Sequence, residues 1–199
     1  MKILSLGLLC VLLAVMPTSS SRGAGAAASE QGQVVAARAG IVTRAEGEVL
    51  YGAQGDREMR RLQIGVRLAN GDAVTTALKS RAEWSLTPDS YLQVGADSRV
   101  RIYETSLDRM HFDVERGEVF IIVRSLAGGE ALVVHAPPGE VIVRKPGRYR
   151  FRVAASGETE AAVSSGELRY INEQGKTVII RKRKRIRFHV AGKKEIHGA

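Results

Sequence analysis

Only one cysteine, Cys10, occurs in this chain, and it lies inside an apolar run close to the start. With that run removed the protein has no thiol, which excludes a disulfide framework, a thiolate metal centre and a cysteine nucleophile. Histidine is scarce as well: His111, His135, His189 and His197 show no metal-ligand spacing and read as surface or strand-end residues. Aromatic residues make up 5% of the chain, and those near the basic segments, Tyr149, Phe151, Tyr170 and Phe188, offer little for stacking against bases. From residue 40 onward no apolar spacing of three and four is sustained, so amphipathic helices are not expected. A glycine loop cradling phosphate at a helix start is not expected either. Asp89 and Asp97 fall in turns, where Asp accepts hydrogen bonds from nearby backbone, and Ser90 and Ser98 carry no motif of an activated nucleophile. The expectation is a protein without enzymatic activity, cofactor or metal.

What is present begins with a leader. Lys2 is followed by the apolar run Ile3 to Met16, then Pro17 and a small, polar stretch, the layout of a secretory signal peptide over residues 1–28. Cleavage after Ala26 or Ala28 satisfies the small-x-small requirement and gives a mature start near Ser29. An uncleaved anchor is the alternative, but the run of 14 apolar residues falls short of the roughly 20 that a spanning helix needs. The leader implies export, to the periplasm or beyond the cell, and a thiol-free exported domain of this size fits a bacterial envelope.

The remaining periodicity is two. "RYRFRV" places Tyr149, Phe151 and Val153 on one face and Arg148, Arg150 and Arg152 on the other, and "MHFDV" turns Met110, Phe112 and Val114 inward, His111 and Asp113 outward. Turn clusters such as Asn70-Gly71-Asp72, Thr87-Pro88-Asp89, Pro137-Pro138-Gly139, Pro146-Gly147, Ser156-Gly157 and Gln174-Gly175 interrupt these runs at short intervals. Short strands with such turns predict an all-β fold, a two-lobed antiparallel β-sandwich or a short β-solenoid-like stack of hairpins. The phrase Gly-Glu-apolar recurs at Gly47, Gly117, Gly139 and Gly166 with uneven offsets, and reads as a convenient way to start a strand. The predicted organisation is a flexible arm over 29–39, a β domain over 40–190 with halves at about 41–103 and 110–190, and a tail over 191–199.

Charge is unevenly spread. The chain carries a formal net charge of +9, or +7 once Lys2 and Arg22 of the leader are removed. Without the six basic residues between Arg181 and Arg187 the balance falls to +1, and without Arg144, Lys145, Arg148, Arg150 and Arg152 as well it becomes −4. Read as one strand, Arg181, Arg183, Arg185 and Arg187 share a face, while Lys182 and Lys184 share the other with Ile180 and Ile186. Such a ladder repels itself, so it needs counter-charge: an external anion, or the chain's own Glu158, Glu160 and Glu167. The anion-binding hypothesis names Arg148, Arg150, Arg152, Arg181, Arg183, Arg185 and Arg187 on a shared surface.

The stretch Arg67 to Ile102 resembles the opening of the FecR domain, through Gly71, Asp72, Thr75, Leu86, Asp89, Ser90, Leu92, Asp97 and Ser98. "VERGEVFIIV", "VVHAPPGEVIV" and "SSGELRY" continue the likeness, which spans about residues 45–170. The chain departs from the family where a Gly-Thr pair often follows the Pro turn; here it reads Lys145-Pro146-Gly147-Arg148. The best-known members are single-pass membrane regulators of iron uptake whose cytoplasmic N-terminal segment engages a sigma factor. Only Met1 and Lys2 precede the apolar run here, so the resemblance implies a stand-alone, exported form without that segment. The functional expectation is a binding or scaffolding protein of the cell envelope, docking its arginines on an anionic envelope polymer. Peripheral membrane contact is compatible with this; export disfavours nucleic acid. The alternative is a periplasmic signalling module that binds a protein partner.

Overall fold

The computed structural model describes residues 39–53, 56, 58–106, 109–126 and 132–188, together with the backbone of 194–198. The predicted leader, all but the last residue of the arm, Cys10 and His189 lie outside the described residues. Among the described residues every regular element is a strand, sixteen in all, as the period of two implies. They form two sheets around one apolar core.

Sheet I contains β1 (Val42–Glu46), β5 (Arg81–Thr87), β6 (Ser90–Val94), the C-terminal part of β8 (Met110–Val123), β11 (Gly147–Val153), β12 (Thr159–Ser165), β15 (Lys184–Phe188) and β16 (Lys194–Gly198), in that order. Sheet II runs from β3 (Arg60–Arg61) and β2 (Val49–Gly52) through β4 (Ala73–Thr76), β7 (Ser98–Thr105) and the N-terminal part of β8 to β9 (Leu132–Ala136), β10 (Gly139–Val143), β13 (Glu167–Asn172) and β14 (Thr177–Arg181). Strands from both sequence halves enter both sheets, and β8 is the seam they share. Cross-sheet ring contacts tie the layers together: Trp84 of β5 lies 6.3 Å from Phe112 of β8, and Tyr170 of β13 stacks on Phe188 of β15 at 3.5 Å.

The pairing departs from the antiparallel expectation at one place, where β9 runs parallel to β8 from Met110↔Leu132 to Asp113↔His135. The reason lies in β8 itself. It begins in sheet II and ends in sheet I, and β9 lies again in sheet II beside the first part of β8, running in the same direction.

The switch within β8 is visible in its burial. Met110, Phe112 and Val114 point inward, but beyond Gly117 the buried residues are Val119, Ile121 and Val123. One extra residue opposite β7, where Arg99 pairs with Arg116 and Val100 with Val114, exchanges the inward and outward faces. Gly117 takes φ 93°, and a Cβ there would sit 2.1 Å from Ser98 Oγ. That hydroxyl accepts the Glu118 N–H at 3.0 Å.

The recurring Gly-Glu phrase now has a physical explanation. At Gly47 the chain passes from sheet I to sheet II, and Glu48 N–H donates to Ser80 Oγ at 2.9 Å. At Gly166 it passes from β12 to β13, and Glu167 N–H donates to Tyr149 Oη at 3.1 Å. Three of the four copies are therefore sheet-to-sheet corners in which a hydroxyl from a distant part of the chain fills the space above the glycine and satisfies the next amide. The fourth, at Gly139, opens the hairpin partner of β9 within sheet II.

Candidate functional site

The outer face of sheet I collects the arginines of β11 and β15. Arg150 stands opposite Phe120 of β8 and Ala162 of β12, and Arg152 opposite Glu118 and Glu160. Across the next pair Glu160 faces Arg187 and Ala162 faces Arg185. Arg148, Arg150, Arg152, Arg185 and Arg187 thus share one surface.

Arg181 and Arg183 do not continue that row, because the basic run is not one strand. β14 ends at Arg181 in sheet II, Lys182 and Arg183 form a turn, and β15 begins at Lys184 in sheet I. Arg183 takes φ 61° and donates its N–H to Val163 O at 2.7 Å. The physical cause is parity. An unbroken strand that buries Ile180 and Ile186 would also aim Lys182 and Lys184 at the core; the turn keeps both isoleucines buried and leaves the lysines in water. That conflict was already present in the sequence as a signal for the break.

Much of the positive charge is matched internally. Glu160, with a side chain only 11% exposed, meets Arg150 at 2.9 Å and Arg185 and Arg187 at 3.5 Å. Glu118 holds Arg152 at 3.0 Å and Arg150 at 3.5 Å, Glu158 holds Arg187 at 3.1 Å, and Glu167 holds Arg181 at 3.2 Å. Burial opposes ionisation of Glu160, but the hydrogen bond from Arg150, aided by the charge of Arg185 and a bond from Arg187, outweighs it and holds the carboxyl below its ordinary value. The counter-charges are those the sequence offered, Glu158, Glu160 and Glu167, with Glu118 added by the β8–β11 register.

Of the two basic segments, Arg144, Arg148, Lys182, Arg183 and Lys184 have no ion pair among the described residues, and Arg148, Arg183 and Lys184 line a half-open groove of about 530 Å³. Its floor includes Phe120, Ile122 and Ala162, its rim Gln93, Arg150 and Arg185. Phe120 is 36% exposed although it is a large apolar side chain. A second depression of about 330 Å³ shares Gln93 and Phe120 and extends the groove toward Arg44, Lys79 and Arg81.

The remaining turn residues serve the fold. Asp89 accepts hydroxyl hydrogen bonds from Thr87 at 2.8 Å, Ser125 at 3.0 Å and Ser90 at 3.3 Å; led by the Thr87 bond, these hold its carboxyl below the ordinary value despite partial desolvation. Ser90 Oγ accepts the Arg124 N–H, and Asp72 accepts the Ala69 N–H. On the outer face of sheet II, His135 Nδ1 lies 3.1 Å from Asp113 Oδ1, and His111 lies 3.9 Å from Glu140 and beside the Tyr103 ring. Among the described residues no group of His, Cys, Asp and Glu has the geometry of a metal site.

Fold and face together define an open β-sandwich whose exposed chemistry is a charged, partly apolar sheet surface. The chain carries a FecR domain: residues 72–169 match the family described as FecR protein. That span lies within the likeness read from the sequence and contains Arg148, Phe120 and Glu160, whereas the hairpin bearing Arg183 and Lys184 lies beyond it. Two crystal structures, at 1.65 and 2.50 Å resolution, of a candidate anti-sigma factor from Parabacteroides distasonis share the fold. Each has a TM-score of 0.54 and covers 63% of this chain and 59% of the other, at 15% and 16% identity. No curated protein matches the chain.

Proposed function

We propose that this chain is an exported, non-catalytic FecR-type signalling module that docks on a protein of the cell envelope through the outer face of sheet I. The observation that carries this reading is the groove in which unmatched Arg148, Arg183 and Lys184 border the exposed Phe120. A protein fits this face better than an anionic envelope polymer does. A polyanion gains from a long row of free cations, but Glu118, Glu158 and Glu160 already interrupt the row, and an exposed phenylalanine gives such a polymer nothing. A protein surface uses both features: an apolar centre surrounded by a charged rim is the ordinary anatomy of recognition.

The test is photo-cross-linking in living cells, with p-benzoylphenylalanine at position 120 on sheet I or at Ile179, exposed on the outer face of sheet II. A protein adduct is expected from position 120, lost when Arg148→Glu and Arg183→Glu are combined. Adducts from Ile179 but none from position 120, or adducts indifferent to the two arginines, would overturn the assignment of the docking face.

A further inference from the structure

Resting on that reading, we infer that the sheet I groove takes an extended, acidic peptide segment of the partner, with at least one apolar side chain seated on Phe120 and Ile122 and carboxylates held by Arg148, Arg183 and Lys184. The groove crosses β6, β8, β11, β12 and β15, four inter-strand spacings, or about 19 Å, which an extended chain covers in about six residues. Because it crosses the strands, the bound segment contributes side chains rather than adding a strand to an edge.

The polarity of the groove follows from its lining. Arg150 and Arg185 are already committed to Glu160, so an incoming carboxylate adds little there. Arg148 on β11 and Arg183 in the β14–β15 turn have no such partner among the described residues, and both line this groove. Each arginine can grip two carboxylate oxygens through its planar fork. Phe120 stands opposite Gln93 on one side and Arg150 on the other, so an apolar side chain laid on its ring is flanked by polar groups that orient the backbone without competing for the apolar floor. Arg183 and Lys184 come from the hairpin beyond the FecR-matched span, so this chain brings part of the cationic rim from outside the matched domain.

The experiment is fluorescence anisotropy on the full mature chain with labelled eight-residue peptides. One alternates Glu and Leu, one carries Gln for every Glu, and one carries Ser for every Leu; inorganic polyphosphate is added as a competitor. The Glu-Leu peptide is expected to bind, and either replacement to weaken it about tenfold or more. Combining Arg148→Glu with Arg183→Glu should cost a similar factor, whereas Arg181→Glu, on sheet II, should cost less than about twofold. The emission of Trp84, the single tryptophan, buried in the core, reports that each variant is folded. Equal binding of the Glu-Ser peptide, full displacement by polyphosphate at equal charge, or indifference to Arg148 and Arg183 would overturn the inference. If no peptide binds while the position 120 adduct stays arginine-dependent, the acidic-segment inference fails and the docking face stands. If the adduct is also absent, both fail.

Discussion

Glu160 holds the outer face of sheet I together, because three guanidinium groups converge on one poorly exposed carboxylate. Replacing it with Gln leaves Arg150, Arg185 and Arg187 to repel one another, and should cost about 1–3 kcal/mol at neutral pH. The pH dependence has a definite sign. The Glu160 carboxyl lies lower in the folded protein than its ordinary 4.5, so its contribution is present above that value and is lost as pH falls toward the folded value. Denaturant titrations followed through Trp84 should therefore show a shallower loss of stability below about pH 4.5 in Glu160→Gln than in the parent. His135 behaves oppositely. The hydrogen bond with Asp113 raises its pKa above 6.5 against partial burial, with Glu140 and Glu173 adding their charge. Its contribution is fully present below 6.5 and disappears as pH rises through the folded value. In His135→Gln that decline above pH 6.5 should flatten; an unchanged slope would show that Asp113 does not favour the protonated ring.

Among the elements, the corners were the least legible from sequence. The alternation that makes β8 and β11 strands was plain, and so were their inward residues. The exchange of faces at Gly117 was not, because the signal is one extra residue in a long run that is apolar on both sides of it. Likewise the Gly-Glu phrase was visible, but the hydroxyls that complete it, Ser80, Ser98 and Tyr149, come from distant parts of the sequence and leave no local mark. The basic run forms two strands and a turn rather than one strand, because a single strand burying Ile180 and Ile186 would bury Lys182 and Lys184 with them. Corner chemistry can be separated by substitution. Gly117→Ala combines a disfavoured φ with a collision at Ser98 and should destabilise by about 3 kcal/mol or more, whereas Gly175→Ala, at φ 75° in open space, should cost only about 1 kcal/mol. Ser98→Ala leaves the Glu118 amide without its acceptor at a fully buried position and should cost about 1–3 kcal/mol. Equal losses for Gly117→Ala and Gly175→Ala would show that the hydroxyl does not occupy the corner.

For the whole molecule, periodicity and turn chemistry were enough for the all-β class, since both depend on local steric and polar preferences, and the order of particular motifs carried the resemblance to the FecR domain. The surface required three dimensions. Charge arithmetic located the positive excess in two segments, and the strand order β11–β12–β15 joined them on one face. The cross-strand register adds Glu118 to Glu158 and Glu160 as the carboxylates that cancel part of it, and leaves Arg148, Arg183 and Lys184 unpaired beside an exposed phenylalanine. The most direct measurement is an amide shift map of the isotope-labelled protein titrated with the Glu-Leu peptide. The account predicts perturbations at Gln93, Phe120, Ile122, Ala162 and Arg183, with sheet II unchanged. Shifts confined to β13 and β14, or absent from Phe120 and Arg183 at saturation, would contradict it.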